Sequence, residues 1–462
     1  MRLLRKLLCL WLLFSIAAGV YGQEPSPEPP APQAEHHISE AEAKQLFRSL
    51  DDILQFASER TGLPIRHPVK KKLATREEVA KYVENRIKEQ GGGERFDHSA
   101  VALKRLGLLP ANFNLREYML GLYKEQVEGW YDAHSKTVFL LDWVDPEAQK
   151  PVMAHELVHA LQDQSYDLEH WLNVHKDTSA ATGQMVLDEQ RTARQAVIEG
   201  QAMIVLYDYQ LTATGQTVET APGIVEMMRS SMMDESDTPM YAQAPLFIRE
   251  ALLFPYTYGT DFVVSVLQKR GKQGAFAGVL DEPPVDTHQL MQPAAYFSHE
   301  PQIQLHVPEL EKALGSGWKR DDFSGIGEID LHVICQQWGD KEIAAKLSPA
   351  WRGGYYMTLL HKRSPKSGYP PLAVAINFSS ADAANRFADL YGSSLIRRYN
   401  IVQPTRSAPK SPREWNTDDG MVRLYVEDTM VIALESFSPG DAAKLHDAIA
   451  ASAKPFAIAA AP

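Results

Sequence analysis

Two histidines and a glutamate fall within five residues of an otherwise apolar run, Val152-Met153-Ala154-His155-Glu156-Leu157-Val158-His159-Ala160-Leu161. No other feature constrains the fold of this chain as much. The run reads as a buried helix, and burying two imidazoles and a carboxylate without partners is costly. One helical turn separates His155 from His159, so both rings leave the same face and can share one cation. Glu156 lies one position on, about 100° around the helix, within reach of a water bound to that cation. The blander alternative is a core helix whose histidines are satisfied by hydrogen bonds.

Neutral imidazoles suit zinc, and a catalytic zinc takes a third protein ligand while keeping one position open for water. The candidate third ligand is Glu199, in Arg194-Gln195-Ala196-Val197-Ile198-Glu199-Gly200-Gln201-Ala202. A carboxylate interrupts an apolar helix there, and Ala196, Gly200 and Ala202 let another helix approach closely. The alternative for Glu199 is a buried pair with Arg191 or Arg194. Asp188 and Glu189 are weaker ligand candidates. Asp163 continues the stripe of His155 and His159 and either orients a ligand histidine from behind or is a surface acid near the helix end.

The N-terminus speaks for export. Arg2, Arg5 and Lys6 precede an apolar run from Leu7 to Val20, and Val20-Tyr21-Gly22 offers a cleavage site, so residues 1–22 read as a signal peptide. Fourteen apolar residues are too few to span a hydrocarbon core of roughly 30 Å, which weighs against an uncleaved anchor. The mature protein is then exported, periplasmic or extracellular, without stable membrane insertion. Cleavage would remove Cys9 and leave Cys335 as the one remaining cysteine, so no internal disulfide can form. Lys and Arg total 47 against 59 Asp and Glu, a formal charge of −12. That balance argues against nucleic acid as a partner. Residues 23–37 hold five prolines and form an extended linker, ending in His36-His37, at most a weak metal site.

At 462 residues, and roughly 150 per domain, two or three domains are expected. Ser39-Glu40-Ala41-Glu42 and Thr75-Arg76-Glu77-Glu78 have the form of capping boxes opening helices. Residues 129–141 read as a β-hairpin, and Pro151–Gln164 and Thr182–Leu211 as two long helices. A helical stretch from Ile224 to Leu267 should break at Pro239, Pro245 and Pro255, and the prolines at 283, 284 and 293 mark a loop. Beyond about Gly325 the order ββαββα appears, with Trp351-Arg352-Gly353-Gly354 as a turn ahead of its first strand and Cys335 as a core residue. The expected class is α+β, a mostly helical domain over 38–320 with a small sheet, followed by a smaller α+β domain over 321–462.

His155-Glu156 through Ala160 with the later Glu199 resembles the gluzincin zinc metallopeptidases, the thermolysin-like group that uses two histidines and a downstream glutamate. The nearest likeness is to uncharacterised exported bacterial proteins of that superfamily. They share HELVHALQDQ and a helix ending in EGQA, together with VEGWYD, FPYTYG at 254–259 and PPVDTHQLMQP at 283–293. The resemblance implies a zincin-like fold in which His155, His159 and Glu199 bind one zinc ion. It implies that Glu156 polarises the attacking water and passes its proton to the leaving amine of a peptide or protein substrate. It also implies that Thr137–Leu141 is the edge strand to which an extended peptide adds, and that Tyr256 and Tyr258, with His288 behind them, are candidates to steady the oxyanion. Simple packing is the alternative for these aromatics. Three other readings compete: a zinc hydrolase acting on another amide, a non-catalytic envelope protein tied together by zinc, and a peptide-binding module.

Overall fold

The computed structural model describes residues 37–89, 92–173, 181–221, 223–227, 239–362, 369–405, 412–452 and 455–458. The expected signal peptide and the linker up to His36 lie outside the described residues. Among the described residues no helix is long and apolar enough to cross a membrane. The chain is α+β.

Both capping boxes form. Ser39 Oγ accepts the Glu42 N–H and the Glu42 carboxylate accepts the Ser39 N–H, opening helix α1 (Glu40–Thr61), which buries Leu46, Leu50, Ile53 and Leu54. Thr75 and Glu78 exchange the same bonds ahead of α2 (Arg76–Glu89). Helices α3 (Gly92–Arg105) and α4 (Leu115–Gln126) follow. The expected hairpin is β2 (Gly129–Asp132) and β3 (Thr137–Leu141), but a strand not foreseen, β1 (Lys70–Ala74), runs parallel to β3 on its other side. The sheet order is β1-β3-β2. Lys70-Lys71-Lys72 hides β1 in the sequence: its charged side chains lie along the surface, and only Ala74 is buried.

Three helices build the centre. These are α5 (Gln149–Tyr166), the short α6 (Leu168–Leu172), and α7 (Ala181–Leu211), against which α8 (Leu246–Gln273) packs. α8 runs straight through Pro255, where a break was expected. An interior proline costs about 3 kcal/mol, and the reason it is tolerated lies in the turns that follow. A Cβ on Gly200 would sit 2.3 Å from the Gly259 backbone, and one on Gly259 would sit 2.0 Å from the Ala196 carbonyl oxygen. α7 and α8 thus touch backbone to backbone at this pair, and that contact holds the helix together across the proline. α8 ends in a kink at Gly271 (φ 68°), followed by one π-helical turn, Gly274–Gly278. Two short helices replace the expected loop, α9 (Thr287–Met291), capped by Asp286, and α10 (Pro293–Phe297), with Pro293 at its first position.

A short strand, β4 (Gln302–Gln304), pairs antiparallel with Phe456–Ile458, and the C-terminal part is an antiparallel seven-stranded sheet of order β5-β6-β7-β11-β10-β9-β8. It contains β5 (Trp318–Gly325), β6 (Trp351–His361), β7 (Leu372–Phe378), β8 (Val402–Pro404), β9 (Arg413–Thr417), β10 (Gly420–Glu427) and β11 (Met430–Glu435). Helix α11 (Glu328–Trp338) precedes β6, α12 (Ala381–Arg398) follows β7, and α13 (Pro439–Ser452) follows β11. The ββαββα order is therefore present, extended by β5, β8 and β9. Trp351-Arg352-Gly353-Gly354 is not a turn but the bulged start of β6, with Gly353 at φ 100°. Alternation divides the sheet. Leu372, Val374 and Ile376 join the core shared with α5, α7 and α8, whereas Ala373 and Ala375 face α13 with Leu445 and Ile449. The core is continuous across residue 320, and β5 spans that position.

Candidate metal centre

α5 and α7 cross so that His155, His159 and Glu199 meet. Nε2 of His155 lies 3.1 Å from Nε2 of His159, and Oε2 of Glu199 lies 3.2 and 3.4 Å from those two nitrogens. Ligand bonds of roughly 2.0–2.1 Å in a tetrahedral site put ligand atoms about 3.4 Å apart, so the three atoms trace one face of such a tetrahedron. None of the three residues is more than 1 % exposed. Neither carboxylate oxygen of Glu199 has a hydrogen-bond partner in bonding geometry, nor has Nδ1 of His155. Buried polar atoms without partners are rare and ask for an explanation; a cation among them supplies one. This group could hold a metal ion, and it is the one such group found among the described residues.

Charge sharpens the point. Burial alone would lower the His159 pKa, but the adjoining Glu199 carboxylate outweighs it and, with Glu156, holds it up at about 9. Burial pushes the Glu199 carboxyl up, and the two imidazoles bring it below its usual value. A divalent cation would take the place of the proton that this pair otherwise shares. The alternative pairing of Glu199 with arginine is not found: Arg194 donates to the Trp171 carbonyl and covers that ring at 5.1 Å. Glu189 is ten residues, about 15 Å, along α7 from Glu199 and bonds Thr287 instead, at 3.1 and 2.7 Å.

Glu156 is buried, and its Oε2 accepts the Tyr131 N–H at 2.6 Å. That N–H belongs to the outer edge of β2. The expected edge strand, Thr137–Leu141, is flanked on both sides, Phe139 pairing with Lys72 of β1 and Trp130 of β2. No peptide can add to β3; the edge beside α5 is β2.

The two tyrosines part company. Tyr256 is buried with its ring 6.3 Å from that of His155, and burial, then the charges of Glu199 and Glu156, keep its hydroxyl protonated far above neutral pH. Tyr258 points elsewhere, because two residues turn a helix through about 200°; its Oη lies 3.4 Å from Nε2 of His332 on α11. Asp163 is neither an orienting group for His159 nor a surface acid. It is buried and accepts from Tyr131 Oη at 2.6 Å, Lys136 Nζ at 2.7 Å and the Leu168 N–H at 3.1 Å, tying the hairpin to the end of α5. The residue that does face Nδ1 of His159 is Gln162, at 2.9 Å. It was not foreseen; the signal was an uncharged amide one turn on in a buried stripe. At the end of α5, Tyr166 donates to the Asp281 carboxylate at 3.0 Å and, beyond it, Trp171 to the Leu280 carbonyl at 2.9 Å, and residues 174–180 lie outside the described residues.

His288 does not back the tyrosines. It bonds Glu328 through Nδ1 in a second buried cluster with Asp286 and Glu189, at the junction of α7, α9 and α11. Burial, aided by Glu189 and Glu328, pushes Asp286 up to about 7; burial raises Glu328 as well. Burial would lower His288, but Glu328 and then Asp286 raise it. Each folded value exceeds its unfolded one, so the cluster stabilises below the unfolded carboxylate range and loses that stabilisation as pH climbs through about 7. Asp286→Asn keeps the cap on the Gln289 N–H, 2.8 Å long in the parent, while removing the charge. Its thermal midpoint, compared at equal metal content between pH 5 and 8, is expected to fall less than the parent's. An unchanged slope would rule out Asp286 as the source.

No family model matches the chain, and no curated protein or solved structure matches it either.

Proposed function

We propose that the chain is an exported zinc-dependent peptidase of the gluzincin kind. The reading rests above all on one observation: two imidazole nitrogens and one carboxylate oxygen, mutually 3.1–3.4 Å apart, have a further carboxylate, Glu156, one residue along. Two nitrogens and one oxygen without thiolate suit zinc, among other divalent ions, and zinc would supply Lewis acidity and an acidified water. His155, His159 and Glu199 would hold it. Glu156 would accept the proton of the attacking water and deliver it to the leaving amine, after giving up its bond to Tyr131. Tyr256, neutral and with its ring 6.3 Å from that of His155, would donate to the oxyanion. Tyr258 and His288 have no part in this reading.

The near-complete burial of all three ligands favours a second reading, in which zinc only ties α5 to α7. The experiment that separates them measures metal content and cleavage of a mixed peptide library. The peptidase reading expects about one zinc per chain, cleavage that a chelator abolishes, and recovery on adding zinc. Zinc binding with no cleavage of any peptide would favour the second reading, and absence of bound zinc would sink both.

A further inference from the structure

Gln162 and Gln201 are fully buried on facing helices, and their hydrogen bonds can run in one direction only. The Gln201 side-chain nitrogen lies 2.8 Å from the Ala275 carbonyl and 3.0 Å from that of Phe276, both in the π turn that ends α8. Carbonyl oxygens only accept, so the NH₂ of Gln201 points there and its Oε1 points back. That oxygen lies 2.8 Å from Nε2 of Gln162, which is also 3.2 Å from the Ile198 carbonyl. The NH₂ of Gln162 is thereby fixed as well, and its Oε1 faces Nδ1 of His159 at 2.9 Å. Turning either amide over would set oxygen against oxygen in a buried site, an unmade bond costing about 1–3 kcal/mol each.

We infer that Gln162 and Gln201 are positioning residues: a one-way amide relay, anchored on the Ala275, Phe276 and Ile198 carbonyls, that fixes the hydrogen of His159 on Nδ1 and presents the bare Nε2 to the metal. The assignment of the tautomer stands on the hydrogen bonds; its use in metal binding rests on the proposed function. The relay is also neutral. Glu156 and Glu199 already balance a divalent cation, so a third carboxylate at position 162 would bring surplus charge into the core, whereas an amide orients the ring without adding any. π turns recur at functional sites, and here the turn has a definite task, offering two carbonyls to α7.

The test uses the full protein and Zn²⁺ alone as probe. Affinity is measured by competition with a chromophoric chelator, and the protonation of His159 by long-range ¹H–¹⁵N NMR of the zinc-loaded protein. The parent is expected to bind through Nε2 with an exchange-protected hydrogen on Nδ1. Gln162→Met should weaken zinc about 10–100-fold, the range typical of groups that orient a ligand, and speed exchange of that hydrogen. Gln201→Met, which touches neither His159 nor the metal, should shift both readouts the same way by less. A purely structural role would lower thermal stability without moving the Nδ1 hydrogen. An affinity within threefold of the parent's with that hydrogen unmoved, or a parent His159 bound through Nδ1, overturns the relay. If the parent binds no zinc, the metal reading fails separately. The tautomer is then read in the metal-free protein on the neutral ring, and an Nε2–H form overturns the relay there. Should Gln162→Met not fold, the parent spectrum and Gln201→Met decide.

Discussion

Glu156→Gln should lower peptide hydrolysis by about 10²–10⁴-fold, the usual contribution of a positioned general base, and leave zinc bound. The substitution is nearly isosteric, and the side-chain oxygen it keeps can still accept the Tyr131 N–H that Glu156 accepts at 2.6 Å. The hairpin should therefore stay seated on α5, and the His155, His159 and Glu199 atoms should keep their 3.1–3.4 Å spacing. The two readouts are initial rate on the peptide mixture and zinc per chain. Loss of zinc along with activity would make Glu156 a ligand rather than a base. A full rate with zinc retained would mean that another group takes the proton. His159→Gln, by contrast, removes a nitrogen ligand and should lose both together.

The centre was more legible than its surroundings, for a physical reason. Helical periodicity fixes what residues four apart do, so His155 and His159 could be placed on one face from spacing alone. Glu199 stood out as a carboxylate in an apolar helix flanked by small residues, and Gly200 marks the backbone contact that brings α8 in. What the sequence withheld depends on pairing at long range. The parallel partner that makes β3 central is a lysine-rich strand more than sixty residues earlier in the chain, and nothing in its pattern announces burial. Tyr256 and Tyr258 share one motif and face opposite ways by helical spacing alone, but which of them turns toward the centre is decided only by how α8 packs on α7. His288 sat in a motif that resembled the rest of the site, but Thr287 beside it is bound by Glu189, far up α7 from Glu199. Pro255 read as a break because local preference was weighed without the α7 contact that overrides it.

Glu435 is the residue whose loss should cost the fold most. It is fully buried on β11, accepts from Arg398 at 2.6 Å, Tyr399 at 2.7 Å and the Tyr391 hydroxyl, and forms an ion pair with Arg105 at 3.2 Å. Arg105 comes from α3 and also bonds Asp419 and Ser436, and Arg398 donates to the Arg105 carbonyl at 2.9 Å. The cluster thus joins the N-terminal helices to the sheet through two arginines balanced by two carboxylates. Glu435→Gln leaves one arginine charge unmatched in the interior, and breaking a buried pair in this way typically costs about 3–5 kcal/mol. Denaturant unfolding should report a loss of that size. Removing Arg398 as well restores the balance, with Arg105 still on Asp419, so Glu435→Gln with Arg398→Met is expected to lose clearly less than the two single losses combined. Strict additivity would show that charge balance is not what the cluster supplies. The sign with pH is opposite to that of the Asp286 cluster. Burial would raise the Glu435 carboxyl, but Arg398 and Arg105 hold it below its usual value, so this stabilisation persists at neutral pH and is lost only as acid protonates the folded carboxylate. The protein should accordingly lose stability on both sides of mildly acidic pH, and Glu435→Gln should flatten the acid side while leaving the decline through about 7 that Asp286 causes.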